Sequence, residues 1–129
     1  MYKFGFKRCP LEVSADIIGR KWTIQIMRDL FMERKRFSDY LEWNPGLSSK
    51  VLSTRLRELQ ERGLIEKRVV SVTPLRVEYH LTEKGIALGG VLFHVALFSI
   101  NHDRKEVYGG KYDPSEDIEG LKEVFRVDS

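Results

Sequence analysis

A single cysteine, Cys9, among 129 residues excludes an intrachain disulfide, and with it the small secreted module held by several bridges. Histidine is almost as scarce. His80, His94 and His102 have no metal-ligand spacing, the last two lying eight residues apart, about 12 Å along a helix, so no metal or other cofactor is expected. Long apolar runs are missing too: the longest, IALGGVLFHVALFSI over residues 86–100, has 15 residues where a bilayer span needs roughly 20. The opening MYKFGFKRCPLEV lacks the apolar core of a signal peptide. A Ser-His-Asp set, a phosphate loop and an isolated carboxylate pair are all absent in the local context their chemistry requires. These absences predict a cytoplasmic protein with no membrane partner and no enzymatic activity.

What is present is enough chain for one hydrophobic core, with 42% hydrophobic residues. The net charge of +3 conceals an asymmetry: residues 1–102 hold 17 Lys/Arg against 11 Asp/Glu, and residues 103–129 hold 5 against 8. A basic body with an acidic tail is compatible with a polyanionic partner.

Periodicity and punctuation predict the elements. LEVSADIIG reads as a short helix closed by Gly19, and KWTIQIMRDLF as a second, with Trp22, Ile26 and Leu30 on its stripe and Ile24, Met27 and Phe31 widening it. SDYLEW follows, with Ser38 available as its cap. The turn NPG then precedes a helix over about residues 48–62, capped by Ser48 and ended by Gly63. LIEKRVVSV and RVEYHLT form a hairpin around Thr73 to Leu75, and Thr82 caps the apolar helix. SEDIEGLKEVF in the tail is a further short helix with Ile118, Leu121 and Phe125 on one face.

In the helix over residues 48–62, Leu52, Leu56 and Leu59 make a buried stripe. The opposite face carries Lys50, Thr54 and Arg57 with Ser53 beside them, and Glu58 and Glu61 come only in the second half. A solvated helix ordinarily places acids early, where they suit the positive dipole end. A basic, hydroxyl-rich first half suits phosphates and base edges instead.

The order helix, helix, turn, helix, hairpin, helix is that of a winged helix-turn-helix domain, mainly α with a small β-hairpin and a long C-terminal dimerisation helix. In that architecture the helix before the hairpin enters the major groove and the hairpin tip reaches backbone or minor groove. The divisions expected within one domain over residues 1–129 are an arm to about residue 10, a DNA-binding core over 11–82, the dimerisation helix over 83–102 and the acidic tail over 103–129. The wing spans about residues 70–77 and carries Arg76.

The segments CPLEVSADIIGRKWTIQIMRDL, KRFSDYLEWNPGLSSKVLSTRLRELQERGLIEKR and RVEYHLTEKG resemble HxlR-type winged helix-turn-helix regulators, themselves similar to the broader MarR class. The resemblance runs from about Cys9 to Gly90. It implies a homodimeric, sequence-specific regulator that docks two groove helices on a palindromic operator in double-stranded DNA. A small-molecule effector in a pocket between the dimer helix and the core would add to that reading as a further partner.

The candidate DNA contacts are Arg36, Ser49, Lys50, Ser53, Thr54, Arg55, Arg57 and Arg76. Arg57 has the fork to read guanine, Lys50 serves equally as a phosphate contact, and Arg55 is either a phosphate contact or half of an internal ion pair with Glu58 or Asp39. Of residues 86–100, 11 are aliphatic, alanine or phenylalanine, more than one domain easily covers, so Ile86, Gly90, Phe93, Leu97 and Ile100 are expected at a subunit interface. A monomer whose tail helix covers the patch is the alternative. Gly89-Gly90 in a helix interior suggests a close crossing or a kink. Cys9 matches a cysteine that senses oxidants in some members of the family, and Lys7 and Arg8 beside it favour a thiolate, whereas a small buried thiol with a packing role is the simpler reading. Two other functions stay open: a loosely specific architectural DNA-binding protein, and a protein-interaction module on a winged-helix fold.

Overall fold

Pro10 occupies the first position of α1 (Pro10–Ile18), where its fixed φ suits the opening turn and its missing N–H is no loss, and Gly19 follows the end. The computed structural model describes residues 3–128. α2 (Thr23–Phe31) begins only after Trp22, whose φ of 78° is left-handed. The expected stripe is therefore shifted. Trp22 lies outside the helix and Ile24 is exposed, while Thr23, Ile26, Met27, Leu30 and Phe31 are buried together with Asp29.

α3 (Phe37–Trp43) starts before Ser38. Its first turn is closed by Asp39, whose Oδ2 accepts the Arg36 N–H at 3.0 Å, so Ser38 is not the cap. α4 (Ser49–Glu61) is capped as its sequence predicts: Ser48 Oγ accepts the Val51 N–H at 3.1 Å. Gly63, at φ 73°, turns the chain out of that helix.

β1 (Ile65–Val72) and β2 (Leu75–Leu81) pair antiparallel, Ile65 opposite Leu81 and Val72 opposite Leu75, with an irregularity between Val69 and Ser71. The inner half of this hairpin reaches the core, through buried Ile65 and Tyr79 with Val77 and Leu81 packed partly against it, and its outer valines and Leu75 are exposed. The Tyr79 N–H donates to the Lys35 carbonyl at 2.7 Å, which fastens the hairpin to the segment before α3.

The helix expected over residues 83–102 is divided at Leu88 into α5 (Glu83–Ala87) and α6 (Gly89–His102), and α7 (Arg104–Tyr108) and α8 (Ser115–Val124) complete the chain. Taken together, Glu83–His102 has the length and composition to cross a bilayer. Within this fold, however, its Leu92, Phe93 and Ile100 belong to the buried interior. The glycine pair marks a close crossing, as expected, but at one position only. A Cβ on Gly89 would lie 2.1 Å from the Phe125 carbonyl oxygen, whereas one on Gly90 meets nothing within 4 Å. Gly89→Ala is therefore expected to cost about 1–3 kcal/mol through overpacking against backbone, and Gly90→Ala to be neutral or stabilising by up to about 1 kcal/mol. Urea unfolding of the two variants separates them; equal midpoints would refute the crossing.

A contiguous core runs from Ile17 through Ile26, Met27, Tyr40, Leu52, Leu56 and Leu59 to Phe93 and Phe125. Phe125 meets Phe31 edge to face, with centroids 5.3 Å apart, so the tail is part of the interior. α8 covers one side of α6 and leaves the other open.

Candidate nucleic-acid interface

The leucine stripe of α4 fixes what the helix presents outward. With Leu52, Leu56 and Leu59 buried, Lys50, Ser53 and Arg57 are exposed at i, i+3 and i+7, a single solvent-facing row, and Ser49 is exposed in the first turn. Thr54 is half-buried and its hydroxyl donates to the Lys50 carbonyl at 3.1 Å, so its methyl is the part left to face a partner. The acids of this helix are engaged. Glu58 accepts from Arg55 at 3.0 Å and pairs with Arg20 at 3.3 Å, and Glu61 lies 3.8 Å from Arg57 in an exposed i,i+4 pair. An exposed pair of this kind contributes little stability and leaves Arg57 free to exchange it for another anion.

Arg55 departs from the expected site. Its side chain is only 16% exposed, and its Nε donates to the Lys21 carbonyl at 2.8 Å while Nη1 holds Glu58. It is the internal ion pair and not an outward cation, because its position beside the leucine stripe turns it toward the α1–α2 connection. Arg36 is exposed immediately before α3. Arg76 is exposed on β2 opposite Ser71, near the hairpin tip. Arg68, which also lies on the hairpin, pairs with Glu66.

The turn between α3 and α4 is held by a buried network that the sequence reading missed. Asp29, with no exposed surface, accepts from Arg34 Nη1 at 2.6 Å and Arg28 Nε at 3.0 Å through Oδ1, and from Asn44 Nδ2 at 2.8 Å through Oδ2. Asn44 also donates to the Tyr40 carbonyl at 2.7 Å, takes a bond from Arg28 Nη2 at 3.0 Å, and offers its own carbonyl to the Leu47 N–H. Arg34 stacks on Trp43, 3.6 Å from the ring centroid. The signal was an acid at position 29 within the apolar spacing of Ile26, Met27 and Leu30, with Arg34 five residues on.

A family model described as HxlR-like helix-turn-helix matches residues 17–106. The chain belongs to this family. It is similar to the HTH-type transcriptional regulator YdeP of Bacillus subtilis, 38% identical over 90 residues and 70% of each chain. It is likewise similar to YodB of the same organism, 39% identical over 88 residues, which cover 67% of this chain and 79% of YodB. Among solved structures, YtcD superimposes with a TM-score of 0.68 at 33% identity, covering 75% of this chain and 99% of that one. The redox regulator HypR in its reduced form gives 0.68 at 30% identity, covering 78% and 100%. The HxlR-like chain thus has the winged-helix architecture of its relatives, and as a member of a regulator family it is not an enzyme.

The expected interface residues divide on this scaffold. Phe93 and Ile100 are 3% and 4% exposed within their own subunit and are unavailable to a partner, because the period of α6 directs them, with Leu92, onto α2 and α8. Leu97 is half-buried against the core, Ile86 is at the edge of exposure and Gly90 is half-exposed. The open face is instead Ala87, Val91, His94, Val95 and Phe98, the last 61% exposed. Cys9 is exposed just before α1, contrary to the buried-thiol reading. Its neighbour Arg8 is tied to Asp16 at 2.6 and 3.0 Å, and that guanidinium holds the Asp16 carboxyl below its ordinary range.

Proposed function

We propose that this HxlR-like protein is a cytoplasmic, homodimeric, sequence-specific transcriptional regulator, with α4 in the major groove of a palindromic operator and the hairpin as its wing. Membership in a family of helix-turn-helix regulators supports the DNA-binding part. The observation that carries the choice of α4 is the exposed row of Lys50, Ser53 and Arg57, with the helix's own acids already engaged. Arg57 acts as the base reader and Lys50 as a phosphate contact. Ser49 and the Thr54 methyl lie at the groove floor, Arg36 clamps the backbone beside α3, and Arg76 touches it from the wing. The open face of α6 joins the subunits, with half-site centres roughly 34–36 Å or a multiple apart. Residues 11–82 form the DNA-binding part of a single domain and 83–102 the dimerisation part.

Selection of bound genomic fragments by the purified protein should return a palindrome. On that operator, Arg57→Ala is expected to weaken binding by about 1–3 kcal/mol and relax one base position per half-site. Lys50→Ala should weaken specific and non-specific DNA more evenly and lower the salt slope by about one. If both variants matched the parent, the groove assignment would be wrong.

Cys9, exposed at the start of α1, is given no sensing role. Arg8 beside it is paired with Asp16. Cys9→Ser is therefore expected to retain operator affinity and its response to conditions. A loss of affinity under mild oxidant that disappeared in Cys9→Ser would overturn this.

A further inference from the structure

The tip of the hairpin departs from the ordinary composition of an exposed turn. Solvated turns favour Gly, Asn, Asp and Ser. Here the strands meet through Val72, Thr73, Pro74 and Leu75, with Val72 79% and Leu75 68% exposed. The register gathers these side chains with others of their kind. Val72 pairs with Leu75 and Val69 with Val77, and cross-strand partners share a face. Val69 and Val72, three residues apart, would lie on opposite faces of a regular strand. Val70 is the extra residue of a bulge between the pairs Val69–Val77 and Ser71–Arg76, and it restores the two valines to one side. Tyr79, two residues beyond Val77, carries that side into the core, so the core-facing side of the hairpin continues outward as an exposed apolar strip.

The charge around the strip has one sign. Residues 67–77 hold Lys67, Arg68 and Arg76 and no acid. The acids nearer the core are engaged, Glu66 by Arg68 and Glu78 by His80 at 2.8 Å. An apolar tip rimmed by cations is complementary to a surface that is anionic outside and apolar within. The minor groove of DNA is such a surface: phosphates line its walls, and apolar side chains can enter between the stacked bases behind them.

We propose that the hairpin tip is a wedge: Val72, Pro74 and Leu75 enter the minor groove at one base step and partly unstack it, with Arg76 on the adjacent phosphates. This rests on the reading of α4 given above, because the Tyr79 bond to Lys35 fixes the hairpin beside Arg36 and α3, on the scaffold that presents α4. Deformation is cheapest at pyrimidine–purine steps. Operator preference therefore extends to such a step flanking each α4 contact, where no hydrogen bond reads the bases, and the bound duplex is kinked.

The test places 2-aminopurine, whose fluorescence rises on unstacking, at successive adenines flanking each half-site of the selected operator. Saturation with the full chain should raise the emission at one step per half-site. Exchanging that step for one from an A-tract should lower affinity about tenfold. Val72→Ser combined with Leu75→Ser removes the wedge at exposed positions; this variant should keep the parent's circular dichroism and α4 base preference and lose both the emission rise and the step preference. Arg76→Ala should weaken binding and retain both. Emission unchanged at every step, or a rise that persists in the serine variant, would overturn the wedge. Vesicles containing phosphatidylglycerol offer the other surface with an anionic exterior and an apolar interior: co-sedimentation lost in the serine variant, with bases that stay stacked, would assign the tip to lipid instead. A protein that binds duplexes without selecting one is titrated on a mixed-sequence duplex with 2-aminopurine at a single TA step, where the same rise is expected and its absence would overturn the wedge. A protein that binds no duplex loses the regulator reading and the wedge together, whereas one that selects an operator and leaves its bases stacked loses the wedge alone.

Discussion

Asp29→Ala is expected to lower stability by about 3 kcal/mol or more, read as a fall in urea midpoint, although no DNA or ligand contact is assigned to Asp29 itself. Removing one member of a buried ionic network leaves its partners uncompensated, and breaking such pairs costs about 3–5 kcal/mol. Arg34 would be left stacked on Trp43 with its only described anion gone, and Asn44 would lose the acceptor that orients its amide. Arg28 is more exposed than Arg34 and recovers part of its hydration, which places the expected value at the lower end of the range. Asp29→Asn keeps the shape and removes the charge, so it should fall between parent and alanine. If Asp29→Ala stayed within about 0.5 kcal/mol of the parent, the network would have no stabilising role.

A glutamate at Phe98 is expected to convert dimers to monomers at micromolar concentration, measured by light scattering. Phe98 is 61% exposed on the face shared with Val91 and Val95, which α8 leaves open. A carboxylate placed there would have to be desolvated to re-form the contact. With each half-site bound through one subunit, as proposed, operator affinity should drop on the order of 100-fold or more as the bivalent advantage is lost. Phe93→Glu provides the contrast. Phe93 lies in its own subunit's core, so that variant should unfold and not dissociate. A parent protein that scattered as a monomer at micromolar concentration would refute the assignment.

The element order was legible because its signals are local. Ser48 before α4, Gly63 after it, Thr82 before α5 and the β-branched runs of the hairpin each act within a few residues. Lys50, Ser53 and Arg57 were legible for the same reason, since three buried leucines fix the opposite face of a single helix. The misreadings arise where tertiary contacts decide. For Arg55 both readings stood open, and choosing the internal pair with Glu58 needs the knowledge that the Lys21 carbonyl lies opposite it, 34 positions earlier in the chain. Phe93 and Ile100 looked like interface residues because apolar composition alone does not tell which side of α6 is met by α2 and α8. Of the two alternatives for that helix, the tail accounts for one side only: α8 covers it, and the other side stays exposed. Asp29 escaped notice because a carboxylate inside a hydrophobic stripe acquires its meaning only from Arg34 and Asn44, which the fold brings to it.

Phe125 gives the C-terminal turn an uncommon standing. Chain ends are ordinarily the first parts to fray and the first to be clipped. Here the Phe125 amide is bonded to Leu121, its ring rests on Phe31, and its carbonyl lies against Gly89. Its hydrogen should therefore exchange with solvent only in the larger openings that also expose α2, and not in local fraying. A protease acting on the native chain should spare this turn. Trimming the protein back to residue 106, where the match to the family model stops, would remove part of its own interior.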